Sequence, residues 1–396
     1  MHADVLIVGA GPVGLFLAGL LAARGVDVTV LERREHPPEH SRAIGLHPPA
    51  LDALAVLGLD RAAVAEGVTV RRGVGYGDGR LLGEITFDQA HPRYPFVLTL
   101  PQSRTEQLLA GHLERLAPGA VHRGVEVVAV EDHDAGAPVL VTARTVAGET
   151  RRWSAQMVVG ADGAHSTVRR LAGVGVDRRD WGDSYLMGDF AESGSGPGAE
   201  PTAVIQLHRD GVVESFPLPG GQRRWVVHTG RQQRLESAGD LVALVRERWG
   251  ERPGENTSEL LELPHPATAT MVSAFTVYRQ LARRMVAGRT VVIGDAAHAI
   301  SPIGGQGMTV GWLDALALAP LLTGLFQGPP DLGAFERDRL RAARRAARMA
   351  EVNMVLGRPL WAVARCGRDA LARAALSTPA KHRLARLYSM GGVIQR

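Results

Sequence analysis

The chain has 396 residues, 45% of them apolar and 22% charged, with a formal net charge of +4 and an isoelectric point near 9.7. That length supports two domains with a sizeable core, and the composition is that of an ordinary globular protein rather than a disordered or fibrous one. No dense basic block interleaved with aromatics occurs, which argues against nucleic acid as a partner. The single cysteine, Cys366, excludes an internal disulfide framework and a cysteine-based zinc site, and points to a reducing, cytoplasmic setting.

The first element in chain order is DVLIVGAGPVGLFLAGLLAARGVDVTVLER, Asp4 to Arg33, uncharged from Val5 to Ala23. A run of that length passes the roughly 18 apolar residues at which a membrane span becomes a candidate. Its interior argues otherwise. Gly9, Ala10, Gly11, Pro12 and Gly14 would break a single helix but suit a tight turn between a strand and a helix. Asp4 stands where a signal peptide would be basic, so neither a transmembrane segment nor a leader is expected. The pattern predicts a buried parallel strand at Val5 to Val8, a helix from Leu15 to Arg24, and a second strand at Val26 to Leu31 ending in Glu32.

Gly9 to Gly14 matches G-x-G-x-x-G between that strand and helix. The first glycine permits the turn, the second admits a pyrophosphate to the backbone, and the third lets helix pack on strand. Glu32, at the next strand's end, can accept hydrogen bonds from a ribose diol. The context points to a dinucleotide containing ADP, against a turn that serves packing only. It leaves NAD and FAD both open.

Further along, Val125 to Val130 and Val139 to Thr145 alternate as paired strands, and Gln156 to Gly160 reads as a buried strand entering GADG. Between about Arg178 and Thr276 the texture changes to short alternating strands with Gly and Pro turns, as expected of an inserted antiparallel sheet. TVVIGDAAHAISPIGGQGMTVGWLDA, from Thr290, places a carboxylate, Asp295, at a strand end. It then opens a helix at Met308 through Gly304-Gly305-Gln306-Gly307. An aspartate so placed can bind polyol hydroxyls, and helix-terminal N–H groups can stabilise negative charge on a reduced flavin. The amphipathic helix at 335–357 carries Arg341, Arg344, Arg345 and Arg348 on what reads as a solvated face.

With these three motifs in order, the sequence resembles the single-component FAD-dependent aromatic hydroxylases, the p-hydroxybenzoate hydroxylase-like flavoprotein monooxygenases, from about Asp4 to Gly324. The resemblance implies an α/β fold: a Rossmann-like FAD-binding domain, an inserted, mainly antiparallel substrate sheet and a helical C-terminal region. The FAD-binding parts would be 1–72, 101–177 and 278–325, the substrate parts 73–100 and 178–277, and the helical region 326–396. Gly9, Gly11, Pro12, Gly14 and Glu32 would hold the ADP half, with Arg33 beside the adenosine. Arg42 and Gln102 would meet the pyrophosphate and ribityl region. Asp162 belongs to the Asp-Gly motif, and Asp295 would bind the ribityl or pyrophosphate portion. Pro302, Gly304, Gly305, Gly307 and Met308 would lie against the isoalloxazine, the first three as the catalytic loop. Thr309 and Leu318 stand where relatives often carry Asn, and Pro49 where many carry Arg; these departures shift the match towards hydroxylases of bacterial secondary metabolism.

The implied activity is hydroxylation of an aromatic, phenolic or polyketide-derived molecule with NADPH or NADH and O₂ through a flavin C4a-hydroperoxide. The substrate would lie between the flavin and the sheet, near 185–228 and 272–278. No second G-x-G-x-x-G occurs, so the nicotinamide would bind transiently. His298, His47, His208 and His228 could each assist but read more simply as structural, pocket or surface residues. Neither a Gly-x-Ser-x-Gly nor a His-Glu-x-x-His motif is present, so hydrolysis is unsupported and no metal is expected. The alternatives are a flavin-dependent reductase of isoprenoid double bonds and a flavin-binding protein without turnover. A monomer or homodimer is expected, without the thioredoxin-like extension of many polyketide hydroxylases.

Overall fold

The fold was analysed in a computed structural model, which describes residues 1–38, 42–132, 137–192, 200–230, 236–249, 261–324 and 331–390. The chain opens with β1 (His2–Val8), α1 (Pro12–Ala22) and β2 (Val28–Glu32). The helix starts at Pro12 rather than Leu15, because proline's fixed φ suits a first helical position and its missing N–H costs nothing there. Then come β3 (Gly45–Leu46), α2 (Pro48–Val56), α3 (Asp60–Glu66), β4 (Val68–Val70), β5 (Arg72–Gly77), β6 (Arg80–Thr86), β7 (Val97–Thr99) and α4 (Gln102–Leu116). The strands β8 (Val121–Arg123), β9 (Val125–Glu131), β10 (Val139–Thr145) and β11 (Thr150–Gly160) lead to the short α5 (Thr167–Leu171). The second half holds β12 (Val176–Ala191), β13 (Thr202–Leu207), β14 (Val213–Leu218), β15 (Gln222–Gly230), α6 (Ala238–Trp249) and β16 (Ala269–Ala282). It closes with β17 (Val286–Ala287), β18 (Thr290–Val292), β19 (His298–Ala299), α7 (Gly307–Thr323), α8 (Gly333–Gly357), α9 (Ala362–Ser377) and α10 (Ala380–Tyr388).

A Rossmann-like sheet runs in the order β17-β18-β11-β1-β2-β8, with β10 and β9 branching from β11. Its central strands β18, β11, β1, β2 and β8 are parallel, so the carboxyl ends of all five open on one edge. In register, Val8 meets both Gly160 and Leu31, which sets Gly9, Glu32, Ala161 and Asp295 side by side where such sheets bind ligands. The strands are buried on both faces and read as Val/Ile/Leu runs. The second large sheet runs β19-β16-β12-β15-β14-β13-β5-β6. Its pairs are antiparallel except β13 with β5, which recruits the early β5–β6 hairpin to the far edge. A third, small sheet runs β3-β7-β4.

α7 packs directly on α1. The Trp312 indole lies 5.3 Å from the Phe16 ring and its Nε1–H donates to the Pro12 carbonyl at 2.9 Å. Among the described residues no helix is long and apolar enough to cross a membrane, so the run after Asp4 is a buried strand and helix. Arg341, Arg344, Arg345 and Arg348 all lie exposed on α8.

Candidate active site

A cavity of about 770 Å³ runs from the carboxyl edge of the parallel sheet to the inner face of the second sheet. All the anticipated site residues line it except Gly14, which lies behind the turn. A Cβ on Gly14 would sit 1.9 Å from the Gly9 carbonyl oxygen, so its hydrogen is what lets α1 meet the strand. At Gly9, with φ +106°, a Cβ would fall 2.5 Å from the Ala161 carbonyl oxygen. Gly11 differs: nothing lies within 4 Å of its added Cβ. It opens α1 in extended backbone with no side chain capping the helix, which leaves the first-turn N–H groups facing the cavity.

Glu32 is buried. Its Oε2 accepts from the Ala10 N–H at 2.8 Å, and its Oε1 accepts from the Arg34 backbone at 3.0 Å and Nε at 3.1 Å. Burial alone would raise its pKa, but the Arg34 and Ala10 N–H groups and the Arg34 guanidinium outweigh it and hold the carboxyl below its usual range. Glu32 therefore stiffens the glycine turn besides facing the cavity. Arg33 stands exposed at the rim, and Arg42 lies over the Phe275 ring at 5.5 Å. Gln102 donates through Nε2 to Glu106 at 2.7 Å. Burial lifts the Glu106 pKa; the sequence reading missed this carboxyl, although Gln102 and Glu106 share a helix face at i, i+4. The Asp162 side chain points to α5, accepting from Ser166 Oγ at 2.5 Å and from the N–H groups of Thr167 and Val168 at 2.7 and 3.1 Å.

Asp295 occupies a single helical turn after β18 and faces the cavity, whose walls desolvate the carboxyl and raise its pKa against the pull of His298. His298 itself does not line the cavity. Its Nε2 lies 2.5 Å from Asp314 Oδ2; Asp314 also accepts from Arg339 Nε at 2.7 Å and the Gly294 N–H at 3.1 Å. Burial opposes charge on His298, but Asp314 outweighs it and raises the imidazole pKa. His298 thus anchors the Asp295 turn from behind. His298→Ala breaks a buried ion pair, a class of change that costs roughly 3 to 5 kcal/mol, and should lower the Tm markedly. The FAD-loaded fraction should keep its turnover within about tenfold, or ~1.4 kcal/mol in the barrier; calorimetry beside a rate normalised to bound flavin checks both.

Pro302 to Gly305 is a turn closed by the Gly305 N–H donating to the Pro302 carbonyl at 2.9 Å. Gly304 and Gly305 have φ of +92° and +64°. A Cβ at Gly304 would meet Asn353 Nδ2 at 2.9 Å, and one at Gly305 would meet His47 Nε2 at 3.5 Å. A side chain at Gly305 is therefore aimed first at His47. His47 Nε2 lies 2.9 Å from the Gly304 carbonyl, which can only accept, so Nε2 carries the proton. Burial pushes the imidazole pKa down to about 4, so the ring stays neutral and pins the loop. Gly307 and Met308 open α7 with no side-chain cap, and Thr309 is buried with its hydroxyl unpartnered among the described residues.

Two other candidate bases stand elsewhere. His208 lies at Asp210, beside a second cavity of about 200 Å³; His228 is buried against Asp183 at 3.3 Å. Neither lines the main cavity. The far chamber is walled by Met187, Ile205, Phe216, Val226, Phe275 and Tyr388. Into it projects Glu214 of β14, which the sequence reading passed over. In VESFPL, strand alternation puts Glu214 on the same face as Phe216, and that phase was the available signal.

A family model described as an FAD binding domain matches residues 2–350. An uncharacterised aromatic compound monooxygenase of Bacillus subtilis is 32% identical over 333 residues, 83% of this chain and 63% of that one. The 6-methylpretetramide 4-monooxygenase of Streptomyces rimosus is 35% identical over 334 residues, 82% of this chain and 56% of that one. The chain thus spans less than two thirds of these relatives' length. The crystal structure of p-nitrophenol 4-monooxygenase from Pseudomonas putida superposes with a TM-score of 0.86 at 24% identity, covering 100% of this chain and 99% of that one. It shares this fold.

Proposed function

The chain belongs to the FAD-binding family that includes these monooxygenases, and from that premise we propose that it hydroxylates an aromatic, phenolic or polyketide-derived small molecule with NAD(P)H and O₂. The observation that carries this reading is one continuous cavity, which joins a glycine-turn edge suited to a dinucleotide to an apolar, aromatic-walled chamber.

The residues present suit FAD. The uncapped start of α1 at Gly11, with no atom within 4 Å of an added Cβ, gives a pyrophosphate both room and N–H donors. Glu32 has lone pairs left for a ribose diol, and Asp295 would take the ribityl hydroxyls. The uncapped start of α7 at Gly307 and Met308 would favour negative charge on the pyrimidine edge. When bound, the flavin supplies the hydride acceptance and oxygen chemistry that the chain's own side chains lack. The Pro302–Gly305 turn, pinned by His47, sets the floor against which an aromatic ring is positioned. Met187, Phe216, Val226 and Phe275 exclude water, which protects a reactive oxidant from being wasted.

Turnover under ¹⁸O₂ with candidate phenols, followed by product mass, tests the reading: one labelled oxygen per product is expected. Reduction of a double bond without label would favour the reductase alternative, and FAD binding with no aromatic-stimulated NAD(P)H oxidation would favour a protein without turnover. The FAD assignment has its own test. Asp295→Ala removes a charge-assisted hydrogen bond worth roughly 1.5 to 3 kcal/mol, about one to two decades in affinity. The variant should purify largely as apoprotein, and full flavin occupancy after dialysis would contradict the role given to Asp295.

A further inference from the structure

We propose that Glu214 receives the hydroxyl of the aromatic substrate, accepting its hydrogen bond and then its proton; this rests on the hydroxylase reading above.

Glu214 lies opposite Ile205 of β13 and Val226 of β15 in register, and all three line the chamber with Phe216. An acidic side chain in such a wall is expensive unless something pairs with it. Among the described residues the Glu214 carboxyl has no hydrogen bond or ion pair. Of the arginines that line the cavity, Arg224 is engaged by Asp189 through Nε at 2.6 Å and Nη2 at 2.7 Å, and Arg42 lies over the Phe275 ring at 5.5 Å. Two phenols lie within electrostatic reach of Glu214: Tyr388 from α10, which lines the chamber, and the buried Tyr185 from β12. Burial first, and then the Glu214 charge, raises the pKa of each, so both stay protonated and neutral. Tyr388 lies 6.0 Å from the His47 ring, edge to face, and His47 holds the Gly304 carbonyl. The unpaired carboxyl and the catalytic loop thus border the same chamber through neighbouring side chains.

Burial alone lifts the Glu214 pKa to about 7. Near neutral pH such a group can accept a proton from a phenol and return it, as a general base must. Of the histidines that line the cavity, His47 is neutral and committed to the loop and His165 stands exposed beside Asp162, while His208, His228 and His298 do not line it. In the step, the phenol O–H bond breaks and an O–H bond forms on Glu214. The electron pair stays on the phenolate oxygen and enriches the ring carbon to be oxygenated, with no change of oxidation state. The same carboxylate repels an aromatic carboxylate, so the site selects free phenols over benzoate-type acids.

The test uses FAD-loaded protein and matched triads on benzene, naphthalene and anthraquinone rings: the free phenol, its methyl ether, and the ring with a carboxylate in the hydroxyl's place. Wild type should oxygenate the phenols at least about tenfold better than the other two classes, with kcat/KM rising through about pH 7. Glu214→Gln should lose about a hundredfold in kcat/KM on the phenols, lose that pH rise, and retain FAD. A second readout needs no substrate. A raised folded pKa means the folded carboxyl keeps its proton after the unfolded one has lost it, so wild-type stability falls as pH rises from the usual Glu range through about 7. Glu214→Gln should flatten that part of the Tm profile. Wild-type kcat/KM and an unchanged pH profile in the variant would overturn the role of Glu214 while leaving the hydroxylase reading intact, and so would an unchanged Tm profile. Failure of wild type to oxygenate any phenol would overturn the hydroxylase reading and this proposal with it.

Discussion

Gly14→Ala is expected to cost both the flavin and much of the fold's stability, while Gly11→Ala, three residues earlier in the same motif, costs the flavin alone. The difference lies in what each methyl would meet. At Gly14 the new carbon falls 1.9 Å from the Gly9 carbonyl oxygen, a backbone atom that cannot swing aside. Relief would require α1 to lift from β1, opening the contact that buries Phe16, Leu17 and Leu20 beneath the helix. Overpacking of this kind costs roughly 1 to 3 kcal/mol, and more where backbone is the obstacle. At Gly11 nothing lies within 4 Å and the backbone is one that alanine adopts readily, so the apoprotein should melt as wild type does. The methyl would instead stand where a pyrophosphate must approach. A loss of at least about tenfold in FAD affinity, or ~1.4 kcal/mol, follows. Calorimetry of the apoproteins and flavin titration separate the two effects. A Gly11→Ala variant that binds FAD as wild type does would remove the pyrophosphate from that turn.

On the proposed hydroxylase reading, Gly305→Val should uncouple NAD(P)H consumption from product formation. The residue has φ +64°, a conformation that a β-branched side chain adopts only under strain. Its Cβ would point at His47 Nε2 from 3.5 Å, so the valine methyls press on the imidazole that holds the Gly304 carbonyl at 2.9 Å. The loop must reshape, while Glu32, Gly11 and Asp295 are untouched. FAD binding and reduction by NAD(P)H should therefore survive. Product per NAD(P)H consumed should fall by about tenfold or more, with the missing electrons recovered as hydrogen peroxide. The ratio is measured directly with a phenol that wild type oxygenates. Unchanged coupling would mean that the Pro302–Gly305 geometry does not govern oxygen transfer.

Much of the cavity's lining along the parallel sheet was legible in the sequence because its signals are local. A glycine needed for a turn, a strand recognised by its apolar run, and an acid at a strand end lie within a few residues of one another. Val139 to Thr145 was read with the bounds that β10 takes, since alternation is a property of the strand itself. Asp295 and the glycines before α7 follow for the same reason.

What stayed hidden depended on partners distant along the chain. The parallel pairing of β5 with β13 joins residues about 130 positions apart, and no local period announces it. His298 was read as more simply structural than catalytic, but only the packing of α7 and α8 supplies the means, setting it against Asp314, which Arg339 also holds, and away from the cavity. His47 was one histidine among four until the fold set its ring on the Gly304 carbonyl. Glu214 reads in sequence as an ordinary strand carboxylate, exposed on alternate positions. The sequence by itself determined the glycine turns and strand ends that line one edge of the cavity, because backbone conformation and close approach are written in glycines and strand ends. Only the tertiary structure decided which titratable groups face the chamber and in what protonation state, because desolvation and charge pairing are set by whatever the fold brings alongside them.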